Sequence, residues 1–299
     1  MKVLITGGSG MLGSAITKKL IKENISVVHL TRSKSSKHDI KNYEWDWRKN
    51  QIDDNCFNGV TDIIHLAGAG IAEKPWTTKR KKEIVKSRVL TTRLIYKRIN
   101  ELNLPINSFI SASGVGYYGA ITNDKTYKET DSSHPDFISD CCVQWENAVN
   151  KFTETTRTNV IRLGIILDKN DGAVAKIARI IKKYIGAPIG SGNQFMPWIH
   201  LEDAVDIFFH ALTNPKLSGT YNAVASEHVD NKYFTQILAK QLNKKLILPN
   251  VPSFMLKLIY GELADIFLKG VKVDNQKILQ SGYAFKFNKL SDALEDIYN

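Results

Sequence analysis

Apolar residues arrive along this chain in two rhythms. Lys2-Val3-Leu4-Ile5-Thr6 is a short, β-branched-rich apolar run, the mark of a buried strand. From Ala15-Ile16 to Leu20-Ile21 the apolar positions instead recur at helical spacing. The two rhythms then alternate. Ile25–Thr31, Tyr43–Asp46, Asp62–Ala67, Ile106–Ser111 and Val160–Leu167 read as the second to sixth strands. Between them, Ile84, Val85, Val89, Leu90, Leu94, Ile95 and Ile99 form a stripe that predicts a long helix over Lys79–Leu102 with a basic opposite face. Cys142, Trp145, Glu146, Val149 and Phe152 predict another helix over Asp140–Phe152. This alternation over residues 1–167 predicts an α/β fold, a doubly wound parallel sheet with right-handed crossovers.

Beyond residue 167 the pattern is less regular. Ala173–Tyr184 reads as a helix and Gly186–Gly192 as a flexible loop. Trp198–Asp203 starts another strand-to-helix unit, with Asp203 near a helix N-terminus, and Tyr221–Val224 reads as a strand. From Lys232 a helix follows, then a short strand at Leu246-Ile247-Leu248 and a helix opened by Pro252. No repeat or low-complexity linker divides the chain. The expected organisation is a Rossmann domain over 1–167, with 198–224 packing back on it. Residues 168–197 and 225–299 form a smaller α+β substrate region, with a cleft between.

The chemistry begins where the first strand meets the first helix. Gly7-Gly8-Ser9-Gly10-Met11-Leu12-Gly13 fills that junction. Strand, glycine turn and helix form the context in which a glycine fingerprint binds a dinucleotide. Gly7 can turn with positive φ, Gly10 lets a pyrophosphate approach the backbone, and Gly13 lets the helix pack close. The helix N-terminus offers free N–H groups to the phosphates. The second strand ends in Leu30-Thr31-Arg32-Ser33-Lys34, with no acid for the 2′-OH of NAD. Arg32, assisted by Ser33 and Lys34, suits the 2′-phosphate, so the expected cofactor is NADP.

Composition narrows the remaining classes. The 299 residues are 43% hydrophobic and 24% charged, ordinary globular values. No apolar stretch reaches membrane-span length, and no tripartite leader precedes the first strand, so a cytoplasmic protein without membrane partners is expected. Cys56, Cys141 and Cys142 make neither a disulfide framework nor a C-x-x-C site, and no metal centre is expected. The net charge is +11 and the pI about 9.4. Lys79-Arg80-Lys81-Lys82 is the densest run and reads as the solvated face of a helix start. No nucleic-acid motif accompanies it, so no nucleic-acid partner is expected. Most of the excess charge has no assigned use.

The spacing Gly7-x-x-Gly10-x-x-Gly13 resembles the T-G-x-x-G-x-x-G fingerprint of the extended short-chain dehydrogenase/reductases. Further segments extend the likeness over nearly the whole chain: His65-Leu66-Ala67-Gly68, Lys86-Ser87-Arg88-Val89, Ser111-Ala112-Ser113 with Gly116-Tyr117-Tyr118-Gly119, Trp145-Glu146, Arg162-Leu163-Gly164 and Trp198-Ile199-His200. Pro252-Ser253-Phe254, Gly261-Glu262 and Gly282-Tyr283 resemble a small C-terminal domain of unknown function. Together they resemble the atypical members known as the epimerase family. The resemblance implies cofactor contacts at Met11 and Leu12 beside Gly7, Gly10 and Gly13, at Asp46 on the adenine edge, and along Leu66, Ala67 and Gly68. His65, inside an apolar run, reads as a core histidine.

One departure is chemical. The usual Tyr-x-x-x-Lys, whose i, i+4 spacing puts acid and cation on one helix face, occurs nowhere in this chain. By helix position the pair falls at Ile138 and Cys142. The superfamily serine, by spacing, is Ser113, one residue into the loop after the fifth strand. Two readings follow. In one, the chain is an NADP(H)-dependent oxidoreductase acting on an unknown small molecule, a carbonyl or nucleotide-sugar-like compound. Ser113 then binds the substrate oxygen, and Tyr117, Tyr118 or a water supplies the proton. In the other, it holds NADPH as a sensor or scaffold without turnover.

Overall fold

The computed structural model describes residues 1–32 and 40–299. The first half runs β1 (Lys2–Thr6), α1 (Met11–Lys22), β2 (Ser26–Thr31), β3 (Lys41–Asp46), β4 (Gln51–Ile52), β5 (Asp62–His65), α2 (Thr78–Glu101) and β6 (Ser108–Gly114). The chain continues through β7 (Thr126–Tyr127), α3 (Phe137–Val149), β8 (Arg157–Leu163), β9 (Ile165–Leu167), α4 (Gly172–Lys182), β10 (Trp198–His200), α5 (Leu201–Thr213) and β11 (Gly219–Ala223). Last come α6 (Asn231–Gln241), α7 (Ser253–Tyr260), α8 (Asp265–Leu268), β12 (Lys272–Val273), α9 (Gln276–Gln280) and α10 (Leu290–Tyr298).

Eight strands form one sheet in the order β11-β8-β6-β5-β1-β2-β3-β4. Every pairing is parallel except that of the two-residue edge strand β4 with β3. This is the doubly wound α/β sheet the alternation predicts. Its order reverses between β1 and β5, and ligands of such sheets lie in the crevice outside that switch point. Val3, Leu4, Ile5, Ile63, Ile64, Phe109 and Ile110 are buried at its centre, as expected for strands covered on both faces.

The structure corrects several expected boundaries. The predicted sixth strand is broken at Gly164. β8 stays in the main sheet, whereas β9 turns away to pair with β10. Gly164 makes the break possible: a Cβ there would stand 2.7 Å from the Pro197 carbonyl oxygen and 2.9 Å from Val224 Cγ1. The fifth strand runs on to Gly114, because β8 pairs with it residue for residue as far as Gly114↔Leu163. Ser113 therefore lies in the strand, not in the loop. Leu246–Leu248 is irregular; among the described residues no strand pairs with it, and Ile247 is 66% exposed.

The basic face of α2 is also not wholly solvated. Arg80 and Arg88 are each 8% exposed. Arg80 pairs with Glu73 and Glu83 and donates to the Gly70 carbonyl at 2.5 Å. The two positions lie eight apart, on the helix face turned to the segment after β5. Lys81 forms an ion pair with Glu262 and so ties the start of α2 to the C-terminal region. Among the described residues no helix is long and apolar enough to cross a membrane.

Candidate functional site

The glycine turn is set by backbone meeting backbone. Gly7 has φ +71°, and a Cβ there would stand 3.1 Å from the Leu66 carbonyl and 3.2 Å from Ala67 N. At Gly13 a Cβ would stand 2.3 Å from the Gly7 oxygen and 2.8 Å from Gly8 Cα. Gly10 differs: nothing lies closer than the Gly7 oxygen at 3.4 Å. The protein has room for a Cβ at Gly10, so the described chain does not itself require a glycine there. Gly8 is constrained as well, with His29 Nε2 at 2.5 Å from its Cβ position. Only the fold, which places β2 beside the turn, reveals that contact.

Thr6 locks the turn to β5. Its Oγ1 accepts from Leu66 N at 3.1 Å and Ala67 N at 3.2 Å, and pairs with His65 Nδ1 at 2.8 Å. His65 is fully buried, and its Nε2 reaches Thr92 Oγ1 at 3.0 Å. Burial, and then the charge of Arg88, lower its pKa to about 3, so the ring is neutral. This is the core histidine the sequence suggests.

Asp136, Asp171 and Asp230 cap α3, α4 and α6, and Thr77 caps α2. No side chain caps α1, which starts at Met11 and Leu12, and no acid stands in its first turn. The helix therefore presents unneutralised N–H dipoles to the crevice. Arg32 lies at the end of β2 and is exposed; Ser33 and Lys34 lie outside the described residues. Asp46 ends β3, half-buried, and its Oδ1 accepts from Arg48 N at 2.9 Å. Leu66 and Ala67 are half-buried and Gly68 is exposed, all along the same sheet edge.

At the β6 end the site is built of side chains. Ser113 Oγ donates to Glu146 Oε1 at 2.7 Å. Glu146 is gripped by Arg162, with Nε to Oε1 at 2.9 Å and Nη2 to Oε2 at 2.7 Å. Arg162 Nη1 donates to Tyr118 Oη at 3.0 Å, and Tyr118 donates onward to Asn222 Oδ1 at 2.7 Å. Burial opposes the Arg162 charge, but hydrogen bonding and attraction to Glu146 overcome it and raise its pKa. Burial, against the pull of Arg162, pushes Tyr118 up to about 12. The Tyr117 ring covers Arg162 with Cζ 3.4 Å from its centroid, a cation–π contact. Thus Ser113 and Tyr117 meet on one Glu146–Arg162 unit. Among the described residues nothing bonds the Tyr117 hydroxyl.

Ile138 and Cys142 sit where the acid and its lysine are absent. A Cβ on Gly116 would stand 2.7 Å from Ile138 Cγ1, so the loop packs directly on that residue. Burial pushes the Cys142 thiol up to about 12 and raises Cys141 as well, so neither is a nucleophile at neutral pH. Glu146 and Arg162 carry this network, although the motif reading, which included both residues, gave neither a role in it. One signal was available: a charged residue, Arg162, inside the apolar run Val160–Leu167.

Residues 3–142 match the NAD dependent epimerase/dehydratase family, and residues 251–297 match a domain of unknown function, DUF1731. The epimerase family protein SDR39U1 homolog, chloroplastic, of Arabidopsis thaliana is 34% identical over 99% of this chain and 86% of its own length. Human epimerase family protein SDR39U1 is 31% identical, with 99% of each covered. The chain belongs to the epimerase family. A crystal structure of human SDR39U1 with NADPH superposes with a TM-score of 0.89 at 29% identity, covering 100% of this chain and 99% of that one. A UDP-glucose 4-epimerase from Thermus thermophilus, in complex with NAD, shares the fold at a TM-score of 0.79 and 18% identity, covering 100% and 99%.

In this family member the DUF1731 region meets the Rossmann body at a cavity of about 400 Å³. Ala120, Thr122 and His134 line one side, and Gln194, Leu268 and Lys269 the other. Gln194 is buried and gives both Nε2 hydrogens to backbone carbonyls, of Ile189 at 3.0 Å and Phe267 at 2.9 Å. Among the described residues its Oε1 has no partner.

Proposed function

We propose that this chain binds NADPH in the β1–β5 crevice and reduces a carbonyl of a small molecule. Residues 1–167 hold the cofactor, and 168–197 with 225–299 bound the substrate side. The observation that carries the cofactor reading is Gly10, whose missing Cβ the protein does not itself require, in front of a helix that no side chain caps. The NADPH in the crystal structure of human SDR39U1 supports it. Gly7, Gly10, Met11, Leu12 and Gly13 cradle the pyrophosphate, Arg32 takes the 2′-phosphate, and Asp46, Leu66, Ala67 and Gly68 flank the remainder.

When bound, NADPH supplies the hydride. The chain must then hold the substrate oxygen and deliver a proton. Ser113 has one O–H, and it is given to Glu146. Its lone pairs remain, so it can accept from a neighbouring substrate hydroxyl but does not donate to the reacting carbonyl oxygen, which is left to the Tyr117 hydroxyl. Tyr117 keeps a free O–H on a ring pinned by Arg162, which makes it the proton donor. With no lysine beside it to make it a base, a phenol O–H serves as a proton donor, which favours reduction over oxidation.

One observation favours the second reading, a cofactor-binding module without turnover. The acid and lysine positions hold Ile138 and Cys142, and Cys142 stays protonated. NADPH consumption with a panel of aldehydes and ketones separates the two. Turnover that falls at least about tenfold in Tyr117→Phe, with NADPH affinity intact, supports the reductase. No turnover with any carbonyl, beside tight NADPH binding, supports the module. Arg32→Ala tests the cofactor assignment: NADPH should weaken by about 1.5–3 kcal/mol and NADH hardly at all. Equal losses would remove Arg32 from the phosphate site.

A further inference from the structure

The crevice contains a buried cation without an anion. Arg88, on α2, is 8% exposed. Its Nη1 donates to the Ala69 and Ile84 carbonyls, both at 3.0 Å, and its Cζ lies 5.2 Å from the Trp145 ring centroid. Among the described residues no carboxylate lies within ion-pair distance of it, and its Nε and Nη2, which are not fully enclosed, make no hydrogen bond to them. A buried charge left so is costly unless something else completes it. Burial lowers its pKa, the nearby thiols of Cys141 and Cys142 oppose that shift, and Arg80 adds to it.

Its place in the sheet says what completes it. Gly68 is exposed, and a Cβ there would stand 2.9 Å from Arg88 Cζ and 3.2 Å from Nε and Nη1. The guanidinium therefore lies directly against the exposed segment after β5. The sheet order runs β3-β2-β1-β5-β6 across the crevice. Arg32 and Asp46, at the ends of β2 and β3, mark the adenosine side of a dinucleotide lying across it. The β5 and β6 ends are then the nicotinamide side. Cys142, where the lysine is missing, is close enough to Arg88 for the two to interact electrostatically.

Resting on the cofactor reading above, we infer that Arg88 is the fixed cation of the nicotinamide half of the site, a binding charge carried on α2 in place of the lysine absent from α3. Its planar fork suits a phosphate or paired ribose hydroxyls, groups a dinucleotide presents in that half. Gly68 is a glycine because the fork lies against it.

Calorimetry with two probes tests this. NADPH spans the whole crevice, and 2′,5′-ADP fills only the adenosine side. Arg88→Met should weaken NADPH by at least about tenfold and leave 2′,5′-ADP within about twofold, and Arg88→Lys should restore most of the loss. Should Arg88→Met fail to fold, Arg88→Gln against Arg88→Lys makes the same comparison, a neutral donor against a cation. Unchanged NADPH affinity in the neutral variant, or equal weakening of both probes, overturns the inference while the cofactor reading stands. Wild-type protein that binds neither probe overturns both.

Discussion

At the β1 end of the crevice the tight contacts are backbone on backbone. A Cβ at Gly13 would stand 2.3 Å from the Gly7 oxygen, and one at Gly7 3.1 Å from Leu66. At the β6 end they are side chain on side chain. Ser113, Tyr118, Glu146, Arg162 and Asn222 come from a strand end, a loop, a helix and two more strands, and share one chain of hydrogen bonds. The first end admits no side chain at Gly7 or Gly13 and uses no charge for its contacts. The second depends on one buried ion pair, with side chains 4% and 8% exposed. A backbone-built site can hold the same ligand in many proteins, while a side-chain network can be re-chosen, as the loss of Tyr-x-x-x-Lys here shows.

The largest effect expected from breaking this contrast is at the β6 end. Arg162→Met leaves the Glu146 carboxylate buried without its partner, which should cost about 3–5 kcal/mol of stability. The double variant Arg162→Met with Glu146→Gln removes the orphan charge and should recover much of that. Urea unfolding of the three proteins measures both. A single-variant loss below about 1 kcal/mol would mean the pair is solvated and the network is no structural unit.

That difference in materials also decides what the sequence discloses. Gly7, Gly10 and Gly13 lie within seven consecutive residues, because a turn is local, and their roles follow from spacing. The parallel sheet is equally legible, because buried strands and amphipathic helices leave local periods. Glu146 and Arg162 are sixteen residues apart and Asn222 sixty further on, so no spacing connects them before β8 is paired with β6 and β11. The extent of the fifth strand was hidden for the same reason: Ser111-Ala112-Ser113-Gly114 has a loop's composition, and only pairing with β8 keeps it extended. Arg88 reads only as part of the family-like segment Lys86–Val89 until the fold sets Gly68 against it.

The next effect separates two glycines that look alike in sequence. Gly13→Ala puts a methyl into backbone atoms and should destabilise the fold by about 1–3 kcal/mol. Gly10→Val puts its Cβ in ordinary contact, 3.4 Å from the Gly7 oxygen, and should cost about 1 kcal/mol or less as a poorer helix N-cap. It should nevertheless weaken NADPH by at least about tenfold, or 1.4 kcal/mol. Thermal melts and calorimetry on the pair give both quantities. If Gly10→Val binds NADPH as wild type does, the fingerprint does not hold the pyrophosphate and the β1 end loses its assignment.

The remaining effect, read as a slope with pH, is set by His65, which touches both ends. Its ring bonds Thr6 of the glycine turn and stands edge-on to Trp145 of α3, with centroids 6.4 Å apart. In the folded chain its pKa is lowered to about 3, by burial first and the Arg88 charge second. In the unfolded chain it returns to about 6.5. The unfolded state thus binds a proton that the folded state refuses between those values. The stability this ring contributes is complete above about pH 6.5 and falls by about 1.4 kcal/mol per pH unit as acid is added, until the folded ring itself titrates near pH 3. His65→Asn has no such proton. It should be less stable than wild type at neutral pH, because it loses ring packing, and its stability should fall less steeply between about pH 6 and 4, the gap in slope approaching 1.4 kcal/mol per unit. Urea unfolding at a series of pH values gives both slopes, and every other titrating group is common to the two proteins. Equal slopes would show that the ring takes up its proton without unfolding, and that Thr6 and Thr92 do not hold it neutral between the two ends of the crevice.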